Sequence, residues 1–168
     1  MNQTAIQQRF QGLIVAHRGV LFKVCNSYCR NHDDREDLAQ EIVVQLWRSF
    51  PSYDEKLRFS TWMYRVALNV AISAFRRERT RERHVISADV RLLDVADDAT
   101  HSSPEVTRLY RMLEGLEPLQ RALVLLYLDG YNHREIGEAL GISEANVATR
   151  MSRIKQRLRN DTKENQHE

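Results

Sequence analysis

A chain of 168 residues holds one domain or two small ones, and its 42% hydrophobic content supports compact cores. No apolar run nears the ~20 residues that a bilayer helix requires, and the start MNQTAIQQRF lacks the basic-then-apolar layout of a secretory signal; direct membrane insertion is not expected, and the cytoplasm is the expected compartment. The formal net charge of +2 conceals two basic blocks, Arg76, Arg77, Arg79, Arg81 and Arg83, then Arg150, Arg153, Lys155, Arg157 and Arg159, separated by Asp89, Asp94, Asp97, Asp98 and Glu105, a layout that fits a two-site binder of polyanions.

Over residues 6–30 the apolar positions Phe10, Leu13, Ile14, Leu21, Val24, Cys25 and Tyr28 recur at steps of three and four, which predicts a long helix with an interruption near Gly19. A second helix is expected to start at Asp33 or Asp34, where carboxylates suit free backbone N–H groups and the positive dipole end, and to stop before Pro51. Its apolar residues are Leu38, Ile42, Val43, Leu46 and Trp47. A loop over 50–58 carries Phe50 and Tyr53, and a third helix is expected from a Ser60 or Thr61 cap through Asn69 to about Arg81. This 33–83 stretch runs from an acidic helix start to a basic helix end, one face for a protein partner and another for nucleic acid.

Residues 84–104 lose all periodicity and read as a flexible linker. At ~3.3 Å per residue it reaches at most ~70 Å, about two turns of B-DNA. Beyond it a helix over 105–113 ends at Gly115, and Pro118 opens a near-continuously apolar core helix closed by Gly130. Asn132 with Glu135 makes a capping box for a short helix that stops at Gly141, and Ser143 caps a last helix to about Arg159. These two short elements and their glycine turn form a helix-turn-helix pattern. On the last helix Val147, Met151, Ile154 and Leu158 share one face. The opposite face offers Ala145, Thr149, Ser152, Arg153 and Gln156, flanked by Asn146 and Arg150, the side-chain types that reach base edges and phosphates.

Cys25 and Cys29 lie four apart on one helix, where a mutual disulfide is geometrically awkward. A metal site with His32 lacks a fourth ligand, so core thiols are expected and no metal or cofactor is called for. The six histidines are scattered, and no phosphate-binding glycine loop, zinc-protease motif or nucleophile elbow occurs, so no enzyme activity is expected.

The segments DREDLAQEIVVQLW at 34–47, FSTWMYRVALN at 59–69, the pair Arg76-Arg77 and the helix-turn-helix at 134–159 together make the chain resemble the bacterial extracytoplasmic-function (ECF) sigma factors. The resemblance covers nearly the whole chain. It implies an all-α protein of two small helical domains: a sigma region 2 bundle at 1–83 and a region 4 helix-turn-helix at 105–160, joined by the 84–104 linker and followed by a 161–168 tail. It implies a dissociable subunit that directs core RNA polymerase to promoters through their -35 and -10 elements and helps melt them. Its partners would be core polymerase, at the largest-subunit clamp and the flap, promoter DNA and an anti-sigma factor.

By the same resemblance, Asp37, Leu38, Gln40 and Glu41 lie on the helix that docks on the polymerase clamp. Tyr53, Trp62, Asn69, Arg76 and Arg77 belong to the element that recognises the -10 region, with Asn69 on a flipped base, Tyr53 as a stacking wall and both arginines on phosphates. Asn146, Thr149, Arg150, Ser152 and Arg153 face the -35 element. Ala148 stands where many members have a basic residue, and Ala145-Asn146 replaces a common Gly-Thr, so the resemblance carries a binding mode and no promoter sequence. The alternative is a stand-alone helix-turn-helix regulator with a sensing or dimerising amino-terminal domain, which leaves the acidic face, the Tyr53 loop and the second basic block without a task.

Overall fold

The structure, a computed structural model, describes residues 2–84 and 103–165, and for 80–84 the backbone alone. Residues 85–102 of the expected linker and the side chains of Arg81 and Arg83 therefore lie outside the described residues, whereas His84 ends a helix and Pro104 begins one. The described elements are eight α-helices and one 3-10 turn, in two compact units that divide at Gly115 and Leu116.

The first unit contains α1 (Gln3–Ala16), α2 (Arg18–Tyr28), α3 (His32–Ser49), a 3-10 turn (Phe50–Ser52), α4 (Phe59–His84) and α5 (Pro104–Glu114). Its core is the meeting of α2, α3 and α4, where Val24, Ile42, Leu46, Met63, Tyr64, Ala67, Leu68 and Ala71 are fully buried. The break between α1 and α2 falls at His17 (φ -112°, ψ 20°), not at Gly19, which lies within α2. The cause is the histidine side chain: Nδ1 lies 2.9 Å from the Leu13 carbonyl oxygen, and the ring packs 5.0 Å from that of Phe59 on α4. A polar side chain that bonds nearby backbone offers the chain an alternative to continued helix.

Helix α3 starts earlier than its carboxylates indicate, because Asn31 is the cap: its Oδ1 accepts from the Asp34 N–H at 2.8 Å and its amide donates to Asp34 Oδ2 at 2.7 Å. Asp33 and Asp34 then occupy the first turn, where the dipole favours them. Helix α4 starts at Phe59, ahead of the expected Ser60 or Thr61 cap, so both lie inside its first turn; Thr61 is buried there, and Phe59 packs against Trp62. Helix α5 is capped by Ser103 and packs against α2, with Arg30 Nη2 lying 3.5 Å from Glu114 Oε2. The division between compact units thus comes one helix later than the expected linker.

The second unit contains α6 (Pro118–Leu128), α7 (His133–Leu140) and α8 (Glu144–Glu164). Residues 121–126 of α6 are all buried, and Arg121 satisfies itself by donating from Nε to the Leu116 carbonyl at 2.9 Å. The capping box forms as read: Asn132 Oδ1 accepts from the Glu135 N–H at 2.9 Å, and Glu135 Oε2 accepts from the Asn132 N–H at 2.8 Å. Gly141 ends α7 in the left-handed region (φ 70°), where a side chain would be strained. Gly137 is required for a different reason, close approach: a Cβ there would lie 2.6 Å from the Ile142 carbonyl oxygen. Among the described residues no helix is long and apolar enough to cross a membrane.

Candidate functional site

Three surfaces carry the residues singled out above. On α3, Leu38, Ile42 and Leu46 take one stripe at four-residue steps and go into the core. Asp37, Gln40 and Glu41 are thereby exposed. Leu38, 5% exposed, supports this face from behind instead of reaching out of it. The outward apolar contact is elsewhere: Ala39, Gln40, Val43 and Val44 line an open groove, and Val44 is 48% exposed. The signal was available in the sequence, because consecutive Ile42, Val43 and Val44 step ~100° apart and cannot all face one core.

The second surface combines the 50–58 loop with the outer side of α4. Tyr53 is embedded in an aromatic cluster: its ring stacks on Phe50 (6.2 Å, 16°), meets Phe59 edge-on (5.5 Å) and tilts against Trp62 (4.9 Å). Its hydroxyl donates to the Leu57 carbonyl at 2.7 Å, closing the loop on itself, and burial together with Glu55 pushes the phenol above its ordinary range. Trp62 is buried and forms the floor of this cluster. Trp62, Asn69 and Arg76 recur every seven residues, so they drift only ~20° per step along one side of α4. Asn69 and Arg76 are exposed. Arg77 is also exposed, but its guanidinium is paired with Glu41 of α3 at 2.7 Å.

The third surface is α8. Val147, Met151 and Ile154 are buried against α6 and α7, which leaves Ala145, Asn146, Thr149, Arg150, Ser152, Arg153 and Gln156 on the outside. The polar face is partly organised: Ser143 Oγ accepts from the Asn146 N–H at 3.1 Å, and Asn146 Oδ1 accepts from Arg150 Nε at 2.8 Å. Thr149 donates its hydroxyl to the Ala145 carbonyl at 3.0 Å. Lys155 does not join this face. Its ammonium lies 4.3 Å from the Tyr127 ring centroid and donates to the phenol oxygen at 3.2 Å.

Among the described residues the ligand-type cluster is His32, Asp33 and Glu36, all exposed, and neither cysteine joins it. Burial pushes the Cys25 thiol up to about 11 and that of Cys29 to about 12, so both are protonated at neutral pH.

Comparison with known proteins places these surfaces in a common frame. Residues 13–81 match the family model of sigma-70 region 2, and residues 107–158 match that of sigma-70 region 4. The chain is 27% identical over 167 residues to the ECF RNA polymerase sigma factor SigW of Bacillus subtilis, covering 91% of this chain and 88% of the relative. It is 26% identical over 163 residues to the RNA polymerase sigma factor CnrH of Cupriavidus metallidurans, covering 90% and 85%. Among solved structures it resembles the sigma factor RpoE in complex with the anti-sigma factor NepR from Bartonella quintana (TM-score 0.65, 21% identity, 94% of this chain and 96% of that one). It also resembles CnrH in complex with the cytosolic domain of CnrY (TM-score 0.67, 22% identity, 94% and 89%).

Proposed function

Because the chain belongs to the sigma-70 family of RNA polymerase sigma factors, in its extracytoplasmic-function class, we propose the following division of labour over its surfaces. The protein directs core polymerase to promoters. Asp37, Gln40 and Glu41, with the Ala39–Val43–Val44 groove between them, dock on the polymerase clamp, and Leu38 holds that face in place. Asn69 receives a displaced base of the -10 element beside the Tyr53 loop, Trp62 supports that loop, and Arg76 and Arg77 take phosphates. Asn146, Thr149, Arg150, Ser152 and Arg153 read the -35 element in the major groove. Residues 1–83 act as region 2, 105–160 as region 4, 84–104 as the linker and 161–168 as a tail.

The single observation that carries this reading is the order of two sigma regions in one chain, the first exposing Asp37, Gln40, Glu41, Asn69, Arg76 and Arg77 and the second Asn146, Thr149, Arg150, Ser152 and Arg153. The energetics assign the opening step to the complex. Separating duplex costs about 1.4 kcal/mol per stacked step, and one captured base returns ~1–3 kcal/mol. A unit this small opens DNA only while the polymerase holds the bubble. The same exposed faces suit an anti-sigma factor, the kind of partner NepR is to RpoE, and work on polymerase places the protein in the cytoplasm.

The test is run-off transcription with purified core polymerase and a pool of genomic promoters. Specific transcripts that require the protein are expected; failure to bind core at low salt would end the reading and leave a stand-alone regulator.

A further inference from the structure

Helix α1 begins ahead of the region 2 match, which opens at residue 13, yet it makes the contacts that brace the 50–58 loop. Phe10, 5% exposed, sits edge-on to Trp47 at 5.0 Å and to Phe50 at 5.2 Å. One residue earlier, Arg9 Nη2 pairs with Glu55 Oε1 at 2.5 Å, and its guanidinium carbon lies 6.0 Å from the Phe50 ring centroid. Four polar ties of the loop are local. The Tyr53 N–H donates to the Phe50 carbonyl (3.1 Å), the Leu57 N–H to the Asp54 carbonyl (3.0 Å), the Lys56 N–H to Asp54 Oδ1 (3.0 Å) and the Tyr53 hydroxyl to the Leu57 carbonyl (2.7 Å). Arg9 adds a charged tie from a different helix to the exposed rim of this loop.

We propose that Arg9 is a positioning residue for promoter opening: through Glu55 and Phe50 it holds the 50–58 loop, with Tyr53 in it, in the shape that receives the displaced base. This rests on the reading of Tyr53 and Asn69 as the single-strand site. The physical reason is preorganisation. A loop already in its receiving shape loses less conformational freedom when the strand arrives, and that saving appears in the opening step. Arg9 is itself a cation near the DNA side, so a direct phosphate contact is the competing role. The two roles predict opposite behaviour of Glu55. As a positioning partner Glu55 is needed for opening; as a mere neighbour of a phosphate-binding arginine its carboxylate would oppose DNA.

The experiment uses the full chain with core polymerase on a promoter recovered from the run-off pool, and compares the rate of open-complex formation on duplex with affinity for the same promoter carrying a pre-melted bubble. Arg9→Gln and Glu55→Gln are each expected to slow opening by about two- to five-fold, the range an exposed ion pair supplies. The double variant should be no slower than either single one. The reversed pair, Arg9→Glu with Glu55→Arg, should return the rate to within about two-fold. Affinity for the pre-melted bubble should fall by about the same factor, because the same loop receives the strand there, whereas core affinity and melting temperature should hold. Faster opening in Glu55→Gln, additive losses, failure of the reversed pair, or a uniform loss of core affinity and thermal stability would each overturn the proposal. Asn69→Ala is measured alongside: normal opening in that variant would remove the base-site reading itself, whereas impaired opening there with wild-type rates in Arg9→Gln would remove the role of Arg9 alone.

Discussion

Arg77 on α4 donates from Nη2 to Glu41 Oε1 on α3 at 2.7 Å, so a residue assigned to DNA is held by a residue assigned to the polymerase. Both side chains are largely exposed, at 66% and 47%, so the pair contributes at most ~1 kcal/mol. It neutralises one charge of the basic rail as long as α3 is unoccupied. Glu41→Gln should therefore raise the free protein's affinity for single-stranded DNA by about two- to five-fold and steepen its salt dependence by about 0.7, while weakening core binding. Anisotropy titrations across a salt series would show this; an unchanged slope would mean that Arg77 does not reach phosphate.

Asn69 and Arg153 should separate the steps of initiation. Asn69→Ala is expected to cost ~1–3 kcal/mol in open-complex formation with little change in initial duplex binding. Arg153→Ala is expected to cost ~1–3 kcal/mol in binding upstream duplex and to spare opening of a pre-bound promoter. Footprinting with a strand-specific chemical probe reads both. Equal effects of both variants on both steps would argue against the division of labour.

Gly137→Ala should damage the second unit selectively. The new Cβ meets the Ile142 carbonyl 2.6 Å away, backbone that cannot give cheaply, and overpacking of this kind costs ~1–3 kcal/mol. Trp47 and Trp62 both lie in the first unit, so tryptophan fluorescence should unfold as in the wild type while amide protection across α7 and α8 falls. A shifted fluorescence transition with unchanged protection would contradict the account.

Alkali should destabilise the fold through its thiols. Unfolded thiols ionise near 9.0, whereas burial delays Cys25 to about 11 and Cys29 to about 12. Below pH 9 the thiols are neutral in both states and that contribution is intact; from pH 9 upward the unfolded chain ionises first, and stability falls as pH rises through the folded values. Urea melts between pH 8 and 10.5 should show the decline, and a Cys25→Ala, Cys29→Ser variant should flatten it.

What was legible in the sequence was the part decided within a few residues. The Asn132–Glu135 capping box, Gly141 and the Ser143 cap sit where the spacing puts them, because the caps are bonds between a side chain and backbone three positions away and Gly141 supplies the left-handed backbone that ends α7. The misses have partners far along the chain. The bend at His17 involves Phe59 as well as the nearby Leu13, the start of α4 an aromatic cluster, and Lys155 of the second basic block is taken up by Tyr127 of α6. Leu38, expected to contact the polymerase, goes inward, while Val43, expected on the apolar stripe, stays half-buried beside exposed Val44, because a helical stripe names a face only after its neighbour is known. The same applies to Arg77: its chemistry suited phosphate, and nothing in the local sequence pointed to Glu41.

Helix α4 has neither glycine nor proline along its length, and Asn69 and Arg76 sit seven residues apart on one side of it. That interval is about 10 Å, roughly three phosphates of stacked strand at ~3.4 Å each. If Asn69 takes a base and Arg76 a phosphate as proposed, the helix is a ruler: the distance from the captured base to the first gripped phosphate is built into its pitch and cannot be adjusted by loop motion. Inserting one residue between Asn69 and Arg76 would rotate the grip ~100° away from the strand, leaving both groups intact and out of phase.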